Sequence, residues 1–193
     1  MKKIIFNVIA FAFVAASLSS CGYNSMIEKQ ETVDEKWSQV QNVYQRRADL
    51  IPNLVNVVKG YAKHESQTLE AVVAARSRAT QVTLDPDKLT PENIQKFQQA
   101  QDGLSSALGK LLMITENYPE LKANQNFLEL QAQLEGTENR IAVERQKFNE
   151  AVKDYNAYIR KFPNNLTAGM FGFEKKAYFE AQSGANVAPT IQF

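Results

Sequence analysis

The chain has 193 residues, enough for one ordinary domain with an appendage. Its 22 Lys and Arg nearly balance 21 Asp and Glu, leaving a net charge of +1 and no basic footprint for nucleic acid. Hydrophobic residues at 44% suit a packed core; one Cys excludes a disulfide framework or Cys-cluster zinc site, and one His excludes a His-rich metal site.

Lys2 and Lys3 precede an apolar run from Ile4 to Ala16, broken only by Asn7, and Ser17-Leu18-Ser19-Ser20-Cys21 follows. A charged start, a short apolar stretch and small residues near a cut site predict an export signal over residues 1–20. The run is shorter than the about 20 residues of a membrane span. Leu18-Ser19-Ser20-Cys21 resembles the lipobox of bacterial lipoproteins, in which the Cys sulfur takes a diacylglycerol before cleavage. Cys21 is then the lipidation site, and residues 21–25 are the lipidated Cys and a polar spacer. The alternative is an uncleaved membrane anchor with an incidental Cys. Either one carries the body out of the cytoplasm, because Lys2 and Lys3 stay inside. The expected location is therefore the bacterial cell envelope, membrane-anchored and facing outside.

Residues 26–165 read as helix almost throughout. Val33, Trp37, Val40, Tyr44, Ala48, Ile51, Leu54, Val58 and Tyr61 recur every three or four positions, one stripe on one helix. Thr32, with Glu35 three residues on, reads as a capping box at its start. Pro52 lies inside the pattern without disturbing its phase, which predicts a kink rather than a stop. The stripe falters over Lys63–Thr68 and resumes at Leu69, consistent either with one very long helix or with a reversal after Gly60. Thr83–Pro91 is a loop, with Thr90 as N-cap and Pro91 at the first helical position.

A second stripe follows: Ile94, Phe97, Gln101, Leu104, Leu108, Leu111 and Thr115, ended by Tyr118-Pro119. The longest comprises Phe127, Leu130, Leu134, Thr137, Ile141, Glu144, Phe148, Val152, Tyr155, Ile159 and Phe162, and stops at Pro163. No segment alternates with period two over a useful length. The expected fold is all-α, an antiparallel bundle of long helices, four in number, behind the N-terminal segment. Residues 166–193 form an aromatic-rich tail. Phe171, Phe173 and Phe179 either close the open end of the bundle or contact a partner or lipid.

Several long motifs in this order carry a resemblance. They are Val33-Asp34-Glu35-Lys36-Trp37, Arg46-Arg47-Ala48-Asp49-Leu50-Ile51-Pro52-Asn53-Leu54-Val55, Tyr118-Pro119-Glu120-Leu121-Lys122-Ala123-Asn124, Leu134-Glu135-Gly136-Thr137-Glu138-Asn139-Arg140 and Tyr155-Asn156-Ala157-Tyr158-Ile159-Arg160-Lys161-Phe162-Pro163. Together they resemble the LemA family of bacterial membrane-anchored proteins. The resemblance implies an extracytoplasmic helical bundle and no established enzymatic activity; relatives are often encoded beside membrane proteases or other membrane-associated proteins, and some belong to membrane-organising systems. The lipobox-like Cys21 departs from the uninterrupted transmembrane helix usual in that family.

Among polar residues, Arg46 and Asp49 share a helix face. They suit either an anion or peptide-carboxylate site or a register-fixing ion pair. Glu138 or Glu144 is a candidate partner for Arg46 or Arg47 across the bundle, with Arg140 beside it. Gly136 in the same helix predicts a close helix approach. His64 lacks a neighbouring nucleophile and is not three residues after a Glu, which removes the di-iron pattern. The expectation is a non-enzymatic interaction or scaffold module with no cofactor and no metal. Its partners would be a membrane and another envelope protein; membrane remodelling is the alternative, and a hydrolase the remoter one.

Overall fold

A computed structural model describes residues 2–180, with side chains from Gly22 onward. The export signal over residues 1–20, lipidation at Cys21 and residues 181–193 of the tail lie outside the described side chains. All described regular structure is helical, as the stripes require. α1 spans Lys2–Tyr61, α2 Ser66–Gln81, α3 Pro91–Thr115, α4 Pro119–Lys122, α5 Gln125–Arg160 and α6 Asn164–Phe171, with a 3₁₀ turn at Pro86–Lys88. Among the described residues there are six helices rather than the expected four: four are long, and α4 and α6 are short pieces at opposite ends of α5.

α1 has 60 residues and is about 90 Å long at 1.5 Å per residue. Thr32 does not start it. Its Oγ1 donates to the Glu28 carbonyl one turn back at 2.8 Å, and Glu35 pairs instead with Lys36, so the capping box is absent. The helix also runs on through Pro52. It ends at Tyr61, one residue beyond Gly60, and the chain reverses over Ala62–Glu65; the region after Tyr61 is a turn. Thr90 and Asn124 cap α3 and α5 by accepting from the N–H groups of Asn93 and Phe127. Pro91 occupies the first turn of α3, where a missing N–H does no harm.

α1 runs antiparallel along α5, with Trp37 beside Phe148, Arg47 beside Glu138 and Tyr61 beside Asn124. α2 runs antiparallel along α3, with Glu65 near Tyr118 and Ala79 near Gln101. The stripes are the inner faces: all seven predicted residues of α3 are buried. Two stripe ends fail. Tyr61 and Phe162 are exposed, Phe162 because α5 stops at Arg160 ahead of Pro163. Gly136 is exposed too, and a Cβ there would meet nothing within 4 Å, so no helix approaches it closely.

The core has two parts. One is aromatic: Trp37, Tyr44, Phe97, Phe148 and Phe179 pack edge-on or tilted around the only Trp, with Phe179 nearly parallel to it. The other is aliphatic, built on Ile51, Leu54, Val58, Leu104, Leu111 and Leu134. Each large side chain so buried contributes about 1.5–3 kcal/mol before the entropy of ordering is subtracted.

Candidate functional site

Between the aromatic and aliphatic halves lies a polar layer. Arg47 follows Tyr44 by three residues and precedes Ile51 by four, so helical geometry aims it inward along the stripe. It is 1% exposed, which obliges its guanidinium to find partners within the protein. Nη1 donates to Ser105 Oγ at 2.8 Å and to Glu138 Oε1 at 2.6 Å. Nη2 donates to Gln101 Oε1 at 2.7 Å and to the Gln101 carbonyl at 3.3 Å. The guanidinium carbon lies 5.1 Å from the Tyr44 ring centroid, over a π-face that favours a cation. Nε is buried with no acceptor. Burial pushes the Tyr44 phenol up, while Arg145 and Arg47 pull the other way.

The layer reaches every long helix. Gln101 passes the connection on, its Nε2 donating to the Ala79 carbonyl of α2 at 3.2 Å. Arg76 of α2 returns it, Nε donating to the Ala48 carbonyl of α1 at 2.7 Å. One buried cation therefore ties α1 to α3 and α5 directly, and α2 closes the circuit. Such an arrangement suits holding four helices in one register.

Of the five polar residues that the sequence singles out, Arg47 and Glu138 meet. Arg46, Asp49 and Arg140 do not join them and are exposed. The expected Arg46–Asp49 pair does not form; Asp49 accepts from Gln45 Nε2 at 2.8 Å instead. Arg46 and Asp49 are each one residue, about 100° of helical turn, from the buried Arg47–Ala48 positions. Glu144 pairs with Lys147 on its own helix. His64 stands exposed in the reversal between α1 and α2. Among the described residues no three of His, Cys, Asp and Glu gather to hold a metal.

The tail aromatics separate. Phe171 is exposed and touches Tyr23 at 4.9 Å, Phe173 is half-buried against Tyr23 at 5.7 Å, and Phe179 is in the core. Phe179 has no surface left for lipid or partner in this arrangement. Arg145 caps its ring at 4.6 Å. Sequence reasoning missed the residues that hold the tail, Asn149 and Asn156 of α5. They lie seven residues apart, two turns along one face, but their partners are backbone atoms of another segment, which leave no signal in the sequence.

Trp37 Nε1 and Gln41 Nε2 both donate to the Leu84 carbonyl, at 3.1 and 3.0 Å, fastening the loop between α2 and α3 onto α1. Burial raises the Asp34 carboxyl above its usual range, against the pull of Lys176, and Asp87, Glu31 and Asp85 add to the rise.

An all-α bundle of long antiparallel helices, pinned at mid-height by a buried arginine, is the class that this architecture defines. A model of the LemA family matches residues 36–193, and the chain belongs to that family. It is similar to magnetosome protein MamQ 2 of Paramagnetospirillum magneticum, 27% identical over 186 residues that cover 88% of this chain and 68% of that protein. Protein LemA of Metamycoplasma hominis is 24% identical over 158 residues, covering 82% of this chain and 68% of the relative. MamQ of Magnetospirillum gryphiswaldense is 26% identical over 174 residues, covering 81% and 64%.

Proposed function

We propose that this chain is a non-enzymatic, membrane-anchored module that stands outside the cytoplasm and presents its bundle to another protein of the cell envelope. One observation carries the reading. Phe162 and Met170 are each 81% exposed, Leu166 and Phe171 each 60%, and all four cluster on or beside α6. α6 packs where Tyr23 of α1 meets Phe171, directly after the apolar N-terminal run and Cys21.

An anchor in those first residues sets this apolar end against the bilayer. Apolar surface that water leaves there gains about 25 cal/mol per Å². The exposed Arg160 and Lys161 just before α6 suit anionic headgroups. Membership of the LemA family agrees with a bundle of this kind. The non-enzymatic part of the reading rests on the polar interior: both Nη groups of the buried guanidinium donate to neighbouring helices rather than into a cavity.

Among the described residues no helix is long and apolar enough to cross a membrane, so the anchor must be tested on residues 1–21 themselves. Metabolic labelling with a fatty-acid analogue should mark the wild-type chain and leave Cys21→Ala unmarked; label persisting in the variant overturns lipidation at Cys21. A photoreactive phenylalanine in place of Met170, in native membranes, should capture lipid. The same group in place of Met113, exposed at the opposite end of the bundle, should not. Absence of a lipid adduct at position 170 overturns the orientation.

A further inference from the structure

After α6 the chain turns at Gly172, whose φ of 75° lies in the left-handed region that glycine adopts without strain. Residues 173–180 then run back along the bundle as a strap with no regular structure of their own. Most hydrogen bonds that hold the strap are side chains reading its backbone. The Asn156 amide accepts from the Lys176 N–H at 3.0 Å and donates to the Lys176 carbonyl at 2.9 Å. Two turns earlier on α5, the Asn149 amide does the same for Phe179, at 2.9 and 3.0 Å. The Ala177 N–H donates to the Leu89 carbonyl at 2.9 Å. Gln98 of α3 and Arg145 of α5 both donate to the Glu180 carbonyl, at 3.1 and 3.0 Å.

Only two strap side chains past Lys176 are buried, Ala177 and Phe179, while Tyr178 and Glu180 face out. Alternate burial with backbone recognition is how a sheet edge takes up an extended peptide. Here amide side chains on two helices replace the edge strand. Contacts of this kind ask for a backbone, a lysine whose Nζ donates to the Pro86 carbonyl at 2.8 Å, a small residue next to it and, two positions on, an aromatic ring; they do not ask which chain supplies them.

We propose that the groove between α3 and α5 is an exchangeable extended-peptide site, with residues 173–180 as its resident occupant and the same segment of a second copy as its occupant in trans. The tail is the one peptide shown to satisfy the groove, and a second copy offers it with every bond and ring contact preserved. Reciprocal exchange therefore loses no contact of the closed monomer. The strap makes no helical bonds and leads from a glycine swivel, so it can leave the groove without unwinding a helix. A cleft of about 470 Å³ beside it, lined by Ile94, Gln98, Asp102, Ala177 and Tyr178, leaves room at its outer edge. The inference rests on the strap alone and stands whether or not the anchor reading holds.

The test uses two differently tagged full-length copies expressed together, one with a photoreactive phenylalanine in place of the exposed Tyr178. Illumination should yield an intermolecular adduct whose attachment maps to residues 91–102 of the other copy. Excess synthetic peptide of residues 173–180 should reduce that adduct at least tenfold. Purely intramolecular adducts, or an intermolecular adduct that the peptide leaves unchanged, overturn the proposal. Hydrogen exchange on the unaltered chain is the second measurement. The amides of Lys176, Ala177 and Phe179 should exchange at least tenfold faster than the buried amides of α5. Exchange of both sets together, through global unfolding, means that the groove never empties and overturns it as well.

Discussion

Arg76 donates from Nε to the Ala48 carbonyl at 2.7 Å, and Ala48 lies four residues before Pro52. In an unbroken helix that carbonyl takes the N–H of residue 52, which proline lacks. A side chain from α2 therefore supplies the bond that α1 cannot make, and the proline in mid-helix and the arginine on the neighbouring helix form one device.

A double-mutant cycle exposes the coupling. Arg76→Met in the native background leaves a nearly buried carbonyl without a donor and should lower unfolding free energy by about 1–2 kcal/mol. In a Pro52→Ala background the helix serves Ala48 itself, and the same change should cost less than about 0.5 kcal/mol. Denaturant midpoints at unchanged slope measure both. Equal costs in the two backgrounds would show that Arg76 does not answer Pro52.

The arginine layer makes a second, graded prediction. Glu138 is partly exposed and a glutamine oxygen there still accepts from Nη1, so Glu138→Gln should cost no more than about 1 kcal/mol. Gln101 is buried and serves both Arg47 and Ala79, so Gln101→Leu should cost about 2–3 kcal/mol by leaving Nη2 poorly paired in a dry site. Adding Arg47→Met to Gln101→Leu should recover much of that loss, because an apolar layer has no buried charge to satisfy. Additive losses would mean that Arg47 contributes more than register.

How far these features are legible in the sequence depends on how local their cause is. The α3 stripe reads correctly through Gln101 and Thr115, because one amphipathic helix on one core keeps its phase whatever the residue type. The same phase distinguishes Arg47 from Arg46: only Arg47 falls on the line from Tyr44 to Ile51. Phe162 misleads because it continues a period that Pro163 has already ended. Gly136 misleads because the cost of glycine in a helix says nothing of what faces it. The strap is not legible as a strap. Asn149 and Asn156 bind backbone atoms about twenty to thirty residues further on, and backbone atoms carry no sequence signal.

Gly136 supplies a third prediction. It sits inside α5 on an exposed face, with space for a methyl group and no positive φ. Gly136→Ala should stabilise the chain by about 0.5–1 kcal/mol, chiefly by reducing the freedom of the unfolded state. A fall in thermal midpoint would reveal a contact at that face which the folded monomer does not make, and would mark it as a docking surface.

The fourth prediction concerns alkaline pH. Tyr155 is 1% exposed, and its phenol is pushed from 10.0 up to about 12, first by burial and then by the charges of Asp34 and Glu174. Above the ordinary value the unfolded chain releases a proton that the folded chain keeps. The stability linked to Tyr155 is thus fully present below about pH 10 and drains away as pH rises towards 12. Tyr155→Phe should make the alkaline fall in thermal midpoint shallower over that window. Asp34→Asn removes one of the two charges that raise the phenol, so the phenolate absorbance of Tyr155 should then appear at lower pH. The same substitution acts in the opposite range too: burial raises the Asp34 carboxyl, so its ionisation opposes folding as pH climbs above 3.8, and Asp34→Asn should raise the thermal midpoint near neutrality. A lower neutral midpoint in Asp34→Asn would mean that the attraction between Asp34 and Lys176 outweighs the cost of burying the carboxylate.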